Sequence, residues 1–265
     1  MEHLLGEGWQ VIPAGGATGE AYYAQHGEEK LFLKRNSSPF LAVLSAEGIV
    51  PKLLWTRRLE NGDVITAQRW VNGRELKSFE MDEDLVAQLL SKIHRSKELL
   101  EMFKRIGNKP LTPHSIVNEL TERLRTVSLN EAIINDAISF LKKEITEVEP
   151  QQYVVCHCDI NHNNWVLSEE GDLFLIDWDG AMVADPALDL GLLLYWYIPR
   201  QDWEDWLKKY GLILTHDLCK KMHWYVISQT IYGILWHKQR EEYSEMKYWI
   251  SYLCELLEVT TVAEI

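Results

Sequence analysis

The stretch from Tyr153 to Asp189 limits what this chain can fold into more than any other part of it. It contains three short apolar runs, and the polar segment between the first and second runs is too short to form a helix. The second and third runs are separated by the turn sequence Glu169-Glu170-Gly171-Asp172. Short apolar runs on either side of such a turn indicate a β-hairpin. The hairpin would hold the polar side chains at one of its ends close together.

Three of these polar side chains have the chemistry of a phosphoryl-transfer site. Asp159 offers a carboxylate that can orient the proton of a substrate hydroxyl, and Asn164 and Asp177 offer the oxygen ligands that Mg2+ prefers when it is shared with phosphates. The segment from His157 to Asn164 has the form H-x-D-x-x-x-x-N, and a strand ending in Asp follows it. That is the order of catalytic loop and metal-binding Asp in phosphoryl transfer. The sequence therefore predicts catalytic residues at Asp159 and His157, and Mg2+ ligands at Asn164 and Asp177.

Together with Asp185-Pro186 and Asp189-Leu190, these residues resemble the aminoglycoside phosphotransferase and choline kinase family. The resemblance implies an α+β fold of the protein-kinase type, with a small N-terminal lobe built on an antiparallel sheet and a larger, mostly helical C-terminal lobe. Asp177-Trp178-Asp179 stands where protein kinases have Asp-Phe-Gly, and this form is usual among small-molecule kinases. We expect Asp179 to stabilise a turn, and Asp189 to bond the main chain of the catalytic loop. For His157 we favour a role in fixing that loop over a role as general base.

The N-terminal part resembles the nucleotide-binding half of that family. Gly16 and Gly19 lie in a glycine-bearing turn before a strand and would lay their main-chain N–H groups against phosphates. Lys34, near the end of the next strand, would hold the α- and β-phosphates. Main-chain groups of Arg69 and Val71 would hold the adenine of ATP. We predict an N-terminal lobe over residues 1–72 and a catalytic and acceptor-binding lobe over residues 73–265.

One position departs from the family. The strand lysine normally pairs with a Glu in the first half of the next helix, but residues 37–46 contain no acid. Glu47 is the first acid available, and it stands beside Gly48, where we expect the helix to end. The sequence thus leaves open whether Glu47 or another group orients Lys34.

The chain beyond residue 73 has mainly helical periodicity, and its last third is rich in Trp and Tyr. We expect His94, on an early helix, to be a hydrogen-bonded core residue. Most of the late aromatic residues should also belong to the core. The resemblance implies that the late helices build the acceptor pocket, for which the predicted residues are Trp224, Gln229, Trp236 and His237.

Composition excludes several classes of protein. The formal net charge of −13 argues against direct nucleic-acid binding, which requires clustered Lys and Arg. The most apolar run, Leu190 to Ile198, is about half the length of a membrane span, and no signal peptide is apparent at the start. The four cysteines show no paired framework. We therefore expect a cytoplasmic protein with reduced thiols and no membrane insertion.

The length, the G-E-x-Y loop and the H-C-D-I-N-H-N-N loop are similar to the branch of the family called CcrZ or YtmP in Gram-positive bacteria. That resemblance implies ATP and Mg2+ as cofactors, and a small-molecule hydroxyl acceptor that carries ribose or deoxyribose. It also implies a role in control of the cell cycle, with replication or division proteins as partners. One alternative is a choline or ethanolamine kinase. Another is a nucleotide-binding regulator that acts through protein contacts.

Overall fold

The computed structural model describes residues 5–15, 21–37, 40–127, 129 and 131–259. Its N-terminal part contains a five-stranded antiparallel sheet with the strand order β1-β2-β3-β5-β4. The strands are Gln10–Gly15 (β1), Ala21–His26 (β2), Glu29–Arg35 (β3), Leu53–Arg58 (β4) and Val64–Arg69 (β5). Strands β4 and β5 are joined through Asn61-Gly62, where Gly62 has a φ of +91°. An Asn-Gly pair is typical of a β-hairpin turn, and the hairpin is present here.

Alternation along β3 decides which way Lys34 points. Leu31 and Leu33 are buried in a small core with Ala24 and Ala67 on one face of the sheet. Successive residues of a strand point to opposite faces. Lys34 therefore projects from the other face, where it meets the C-terminal part of the chain.

The C-terminal part contains two small sheets that position the polar segments. One sheet has the order β6-β8-β9 and the other pairs β7 with β10. These strands are Gly73–Glu75 (β6), Val154–Cys156 (β7), Trp165–Ser168 (β8), Leu173–Leu175 (β9) and Met182–Ala184 (β10). Strands β8 and β9 form the hairpin predicted around the Glu169–Asp172 turn.

Helices make up most of the remaining described chain. They are Leu41–Ala46 (α1), Asp84–Arg95 (α2), Lys97–Arg105 (α3), Pro113–Val127 (α4), Ala132–Lys143 (α5), Ala187–Tyr197 (α6), Trp203–Tyr210 (α7), His216–Gln239 (α8) and Tyr243–Glu258 (α9). None of the helices in these residues is both long enough and apolar enough to span a membrane.

Helix α6 is the centre of the main core. Residues 187–194 are all buried, as expected for a helix that packs on every side. Helix α8 lies directly against it at Gly191, where a Cβ atom would stand only 2.9 Å from the carbonyl oxygen of Met222. This close packing holds Asp189, in the first turn of α6, at a set place in the interior.

The two-lobed α+β architecture predicted from the sequence is confirmed. The N-terminal sheet precedes a largely helical part, and β6 at Gly73 already pairs with β8 of that part. The lobe boundary at residue 72 agrees with this pairing but stays a prediction.

Candidate active site

The polar segment between β7 and β8 brings the predicted catalytic and metal residues together. The Nδ2 atom of Asn164 donates hydrogen bonds to the carbonyl oxygen and to Oδ2 of Asp159, both at 3.0 Å. The main-chain N–H of Ile176 donates to the carbonyl oxygen of Asn164 at 2.8 Å. Because Ile176 directly precedes Asp177, this bond fixes the segment that carries Asp177 beside the loop.

Asn164 and Asp177 fit a magnesium ion. Since Nδ2 of Asn164 is used by Asp159, its Oδ1 remains available as a ligand. The side chain of Asp177 is 57% exposed, and its main chain has a φ of +62°. A carboxylate and an amide oxygen, partly open to solvent, are ligands of the kind Mg2+ takes when the rest of its coordination shell is water or phosphate.

The carboxylate of Asp189 accepts two main-chain hydrogen bonds from the start of the loop. Its Oδ2 accepts the N–H of His157 at 2.7 Å, and its Oδ1 accepts the N–H of Cys158 at 2.9 Å. Cys158 has a φ of +65°, which is unfavourable for a residue with a Cβ atom. The predicted bond between Asp189 and the loop is thus confirmed, and it supports a strained residue next to Asp159.

His157 is a structural residue. Its ring is fully buried against Trp178, and Nε2–H donates to the carbonyl oxygen of Ile176 at 2.8 Å. The ring therefore offers no surface to a substrate. The inclusion of His157 among the catalytic residues is wrong, whereas the favoured interpretation, that it fixes the loop, agrees with the structure.

The acids that face Lys34 come from the metal-binding segment. Its Nζ lies 2.9 Å from Oδ2 of Asp179 and 3.6 Å from Oδ1 of Asp177. Glu47 faces elsewhere, and its carboxylate accepts a hydrogen bond from the hydroxyl of Ser96. The prediction that Asp179 only stabilises a turn is therefore incomplete, because Asp179 forms an ion pair between the two parts of the chain.

The segment after β5 has main-chain groups free for a ligand. The N–H of Trp70 donates to Lys30 at 3.2 Å, and that of Arg69 donates to Lys52 at 2.8 Å. Within the described residues, no hydrogen bond occupies the main-chain N–H or carbonyl of Val71. The N–H of Arg69 is thus already engaged. Gly16 and Gly19 lie outside the described residues.

A cavity of about 730 Å³ also borders this segment and is lined by Arg69, Val71 and Phe174, among others. The side chains of Lys34, Asp159 and Asp177 do not line it. We therefore place the chemistry at the hydrogen-bonded cluster around Asp159 and not in this cavity.

Tyr197, at the end of α6, is a neighbour of the catalytic loop that the sequence did not single out. The N–H of His162 donates to its hydroxyl at 3.2 Å, and that hydroxyl donates to Oδ1 of Asn161 at 3.4 Å. Burial, with a smaller effect from the charge of Asp159, raises the pKa of Tyr197, so the hydroxyl stays protonated. The only signal in the sequence was its place in the aromatic triplet 195–197 after Asp189.

The predicted acceptor residues do not form a group around the loop. Trp224 is fully buried, and its indole N–H donates to the carbonyl oxygen of Leu141 at 3.0 Å, so its assignment to the acceptor pocket is wrong. Both ring nitrogens of His237 are engaged, because Nε2 accepts from Trp249 at 3.1 Å and Nδ1–H donates to Glu242 at 2.8 Å. These bonds tie α8 to α9.

The other two predicted acceptor residues are more accessible. Gln229 is partly buried, and Trp236 is 51% exposed with its ring covered by the guanidinium of Arg240. Within the described part of the chain, no hydrogen bond or ring contact joins either of them to the catalytic loop. Their role in acceptor binding stays a prediction.

The structure is similar to solved kinases and phosphotransferases. Choline kinase LicA from Streptococcus pneumoniae, which has also been solved in complex with AMP, superposes with a TM-score of 0.67 at 20% identity, covering 94% of this chain and 93% of that one. Macrolide 2′-phosphotransferase MphH from Brachybacterium faecium superposes with a TM-score of 0.66 at 15% identity, covering 94% and 92%. At these identities the likeness establishes the fold.

Sequence comparisons with known proteins found a relative and a protein family that match this chain. An uncharacterized protein of Metamycoplasma hominis is 26% identical over 158 residues, and the match spans 58% of this chain but only 30% of that protein. Residues 9–216 match the family described as the phosphotransferase enzyme family. Because this match covers most of the chain and includes the loop with Asp159 and the segment with Asp177, the chain belongs to the phosphotransferase enzyme family.

Proposed function

We propose that this protein is an ATP- and Mg2+-dependent kinase that transfers a phosphoryl group to a hydroxyl of a small molecule. The observation that carries the proposal is the joint placement of Asp159, Asn164 and Asp177. The carboxylate of Asp159 accepts from the Asn164 amide at 3.0 Å, and the main chain of Asn164 is bonded to the residue before Asp177. Membership of the phosphotransferase family supports the same chemistry.

Each residue has a role in this proposal. Asp159 orients the acceptor hydroxyl and takes up its proton, and the amide of Asn164 holds the carboxylate in place. Lys34 turns from Asp179 to the α- and β-phosphates. Main-chain groups of Arg69 and Val71 hold adenine, and Gly16 and Gly19 offer their main-chain N–H groups to the phosphates.

Mg2+ would be held by Oδ1 of Asn164 and the carboxylate of Asp177. When bound, the ion neutralises the negative charge of the phosphates. The protein's own contribution is to present these two ligands beside Asp159, through the Ile176 to Asn164 hydrogen bond. Charge stabilisation and positioning make up most of catalysis in phosphoryl transfer.

For the acceptor we propose a metabolite that carries ribose or deoxyribose. The wall beside Asp159 is polar, since Asn161, His162 and the hydroxyl of Tyr197 can donate to or accept from sugar hydroxyls. The resemblance to the CcrZ and YtmP branch supports the same acceptor. It also supports a cytoplasmic role in control of replication initiation, with replication or division proteins as partners.

Choline or ethanolamine is the second candidate acceptor. The loop that carries the acidic Asp159 is hydrogen-bonded through His162 to the aromatic residue Tyr197, and an aromatic ring together with a carboxylate attracts a quaternary ammonium group. The two candidates differ in charge, so a single acceptor panel separates them.

The test is ATP consumption by the purified protein with Mg2+ against ribose, deoxyribose, nucleosides, choline, ethanolamine and an aminoglycoside. The Asp177→Ala protein serves as the blank, and Glu170→Ala, an exposed acid on the same hairpin, is the matched control. We expect turnover with a ribose-bearing compound that is lost in the blank and kept in the control. Full turnover by Asp159→Ala and Asp177→Ala would contradict the proposal.

A nucleotide-binding regulator with weak catalysis is the rival from another class. It is favoured by one observation, that no acid of α1 reaches Lys34 and that Asp179 and Asp177 face it instead. An Asp159→Asn protein that binds ATP and still supports the cellular role would favour this rival. Loss of the cellular role in the same variant would favour the kinase.

A further inference from the structure

A chain of buried side chains reaches the main chain of the catalytic loop from the interior of the protein. His94 in α2 and Tyr210 at the end of α7 are both buried. The hydroxyl of Tyr210 lies 2.8 Å from Nδ1 of His94, and Nε2 of His94 lies 3.1 Å from Oδ2 of Asp189. We call His94, Asp189 and Tyr210 the loop anchor.

The direction of each hydrogen bond in the loop anchor follows from its partners. A carboxylate only accepts, so Nε2 of His94 carries the proton that is donated to Asp189. Burial raises the pKa of Tyr210, which keeps its hydroxyl protonated and able to donate to Nδ1 of His94. Asp189 therefore accepts three hydrogen bonds, one from His94 and two from the N–H groups of His157 and Cys158.

The same atoms do not make a metal site. Ligand atoms of His94, Cys156 and Asp189 all lie within 4.8 Å of one another. However, both ring nitrogens of His94 are already engaged, and the thiol of Cys156 contacts the carbonyl oxygen of Asp185 at 3.3 Å. Burial raises the pKa of Cys156 well above its usual value, and metals bind thiolates rather than thiols. The cluster is a hydrogen-bonded network in which Tyr210 donates to His94 and His94 donates to Asp189.

The loop conformation depends on this network. Cys158 keeps a left-handed φ of +65°, and its N–H is held by Asp189, one residue before Asp159. Without His94, one lone pair of the Asp189 carboxylate would be left in a buried space without a donor, which costs free energy. The carboxylate would then turn or take up water, and the two N–H bonds that orient the loop would weaken.

We propose that His94 and Tyr210 are positioning residues for phosphoryl transfer, acting through Asp189 on the loop that carries Asp159. The inference rests on the proposed function. Neither residue touches nucleotide or acceptor. Lys34 and Val71, which would bind the nucleotide, belong to the N-terminal part and make no hydrogen bond to the loop anchor. Loss of the anchor should therefore lower kcat and leave nucleotide affinity unchanged.

The chain offers a matched control for this proposal. Buried His223 and half-buried Tyr195 form a second pair in which the Tyr hydroxyl lies 3.0 Å from Nδ1 of His, and this pair makes no hydrogen bond to the catalytic loop. Tyr210→Phe and Tyr195→Phe therefore delete the same hydroxyl from the same kind of bond. Only the first deletion lies on the path to Asp189.

The experiment measures kcat, ADP affinity and amide hydrogen exchange of residues 156–160 in the full chain. We expect His94→Leu to lower kcat by roughly 10- to 100-fold, the scale of a slightly misplaced catalytic group. His94→Gln keeps an N–H donor near Asp189 and should recover most of kcat. Tyr210→Phe should lower kcat by about three- to tenfold, and Tyr195→Phe by less than about twofold. ADP affinity should stay within about twofold in all four variants.

Hydrogen exchange separates this proposal from the proposed function. The N–H groups of His157 and Cys158 should exchange faster in His94→Leu than in the unaltered protein and in Tyr195→Phe, whether or not an acceptor is phosphorylated. If exchange rises but the unaltered protein phosphorylates nothing, the positioning role stands and the proposed function fails. Unchanged exchange of these two amides in a folded His94→Leu protein would overturn the positioning role. So would equal losses of kcat in Tyr210→Phe and Tyr195→Phe.

Discussion

The loop anchor and the charged cluster of Lys34, Asp177 and Asp179 each contain a side-chain nitrogen that faces a carboxylate, but they differ in exposure. In the anchor, the side chains of His94 and Asp189 are 2% and 0% exposed. In the charged cluster, those of Lys34 and Asp179 are 23% and 57% exposed. A buried carboxylate must keep all its donors, because water cannot replace them. An exposed ion pair can exchange its partners for water, metal or phosphate at little cost.

This contrast matches the tasks we assign to the two regions. The anchor must hold one conformation of the loop throughout the reaction. The charged cluster must reorganise. In the proposed reaction, Lys34 leaves Asp179 to bind the phosphates, and Asp177 becomes a ligand of the metal ion. The predictions below test that division between a fixed region and one that rearranges.

The largest effect should come from Asp177→Ala. It removes a ligand of the proposed metal site, and we expect phosphotransfer to fall by at least about 1,000-fold. Because the side chain of Asp177 is 57% exposed, the melting temperature should change little. Turnover and a thermal melt check both expectations, with Glu170→Ala as control. A large drop in melting temperature would show that Asp177 belongs to the fixed region after all.

Asp189→Asn should act on stability as well as on rate. The substitution replaces one acceptor oxygen by an NH2 group, which cannot accept a hydrogen bond from the donors that surround Asp189. Buried hydrogen bonds are therefore lost, and the free energy of unfolding should fall by roughly 3 kcal/mol. Urea unfolding followed by circular dichroism measures this change. Asp205→Asn, which alters an exposed acid beside Lys208, is the control and should change stability by less than about 0.5 kcal/mol. Equal stability of the two variants would refute the description of Asp189 as an anchor.

Buried His223 should make stability depend on pH. Burial lowers its pKa from 6.5 to about 4, so the folded protein binds this proton less readily than the unfolded chain. The free energy of unfolding is therefore unaffected by this group above pH 6.5. It falls as the pH is lowered from 6.5 towards 4, by roughly 3 kcal/mol in total. Urea unfolding between pH 7 and 4 should show a shallower pH dependence in His223→Gln than in the unaltered protein. His114→Gln, at an exposed His, should leave the dependence unchanged.

The smallest effect should come from Asp179→Asn. Removing an exposed ion pair frees Lys34, so we expect nucleotide binding without metal to tighten by about two- to threefold, in line with the small free energy of such pairs. Calorimetric titration of ADP in the presence of a chelator measures the change, and Asp205→Asn, at an exposed acid of α7, is the control. Weaker binding instead would mean that Asp179 orients Lys34 for the phosphates, in place of the missing helix acid.

Local patterns predicted the parts of this protein that depend on neighbouring residues. The alternation of Lys30–Arg35, the Asn61-Gly62 turn and the Glu169–Asp172 turn all produced the expected strands and hairpins. These features depend on the side-chain period of a strand and on the conformations that turn residues accept. The separation of Asp159 and Asn164 in sequence was equally informative, because one short loop joins them.

The acceptor residues were harder to predict. Helix α8 is buried on nearly all sides, so apolar periodicity does not show which of its residues face a pocket. Trp224 lies in the core for this reason, and His237 and Trp249 bond each other across two helices. Tyr197 was one aromatic residue among many until the fold placed its hydroxyl beside Asn161 and His162.

The sequence by itself determined the loop that carries Asp159 and Asn164, since short-range spacing encodes it, and its resemblance to a kinase family indicated the two-lobed fold. Only the tertiary structure decided what each side chain faces. Lys34 and Asp179 are 145 residues apart in the chain, and His94 and Asp189 are 95 apart. Contacts over such separations depend on how whole helices and sheets pack, because many polar residues could pair equally well until packing selects one partner for each.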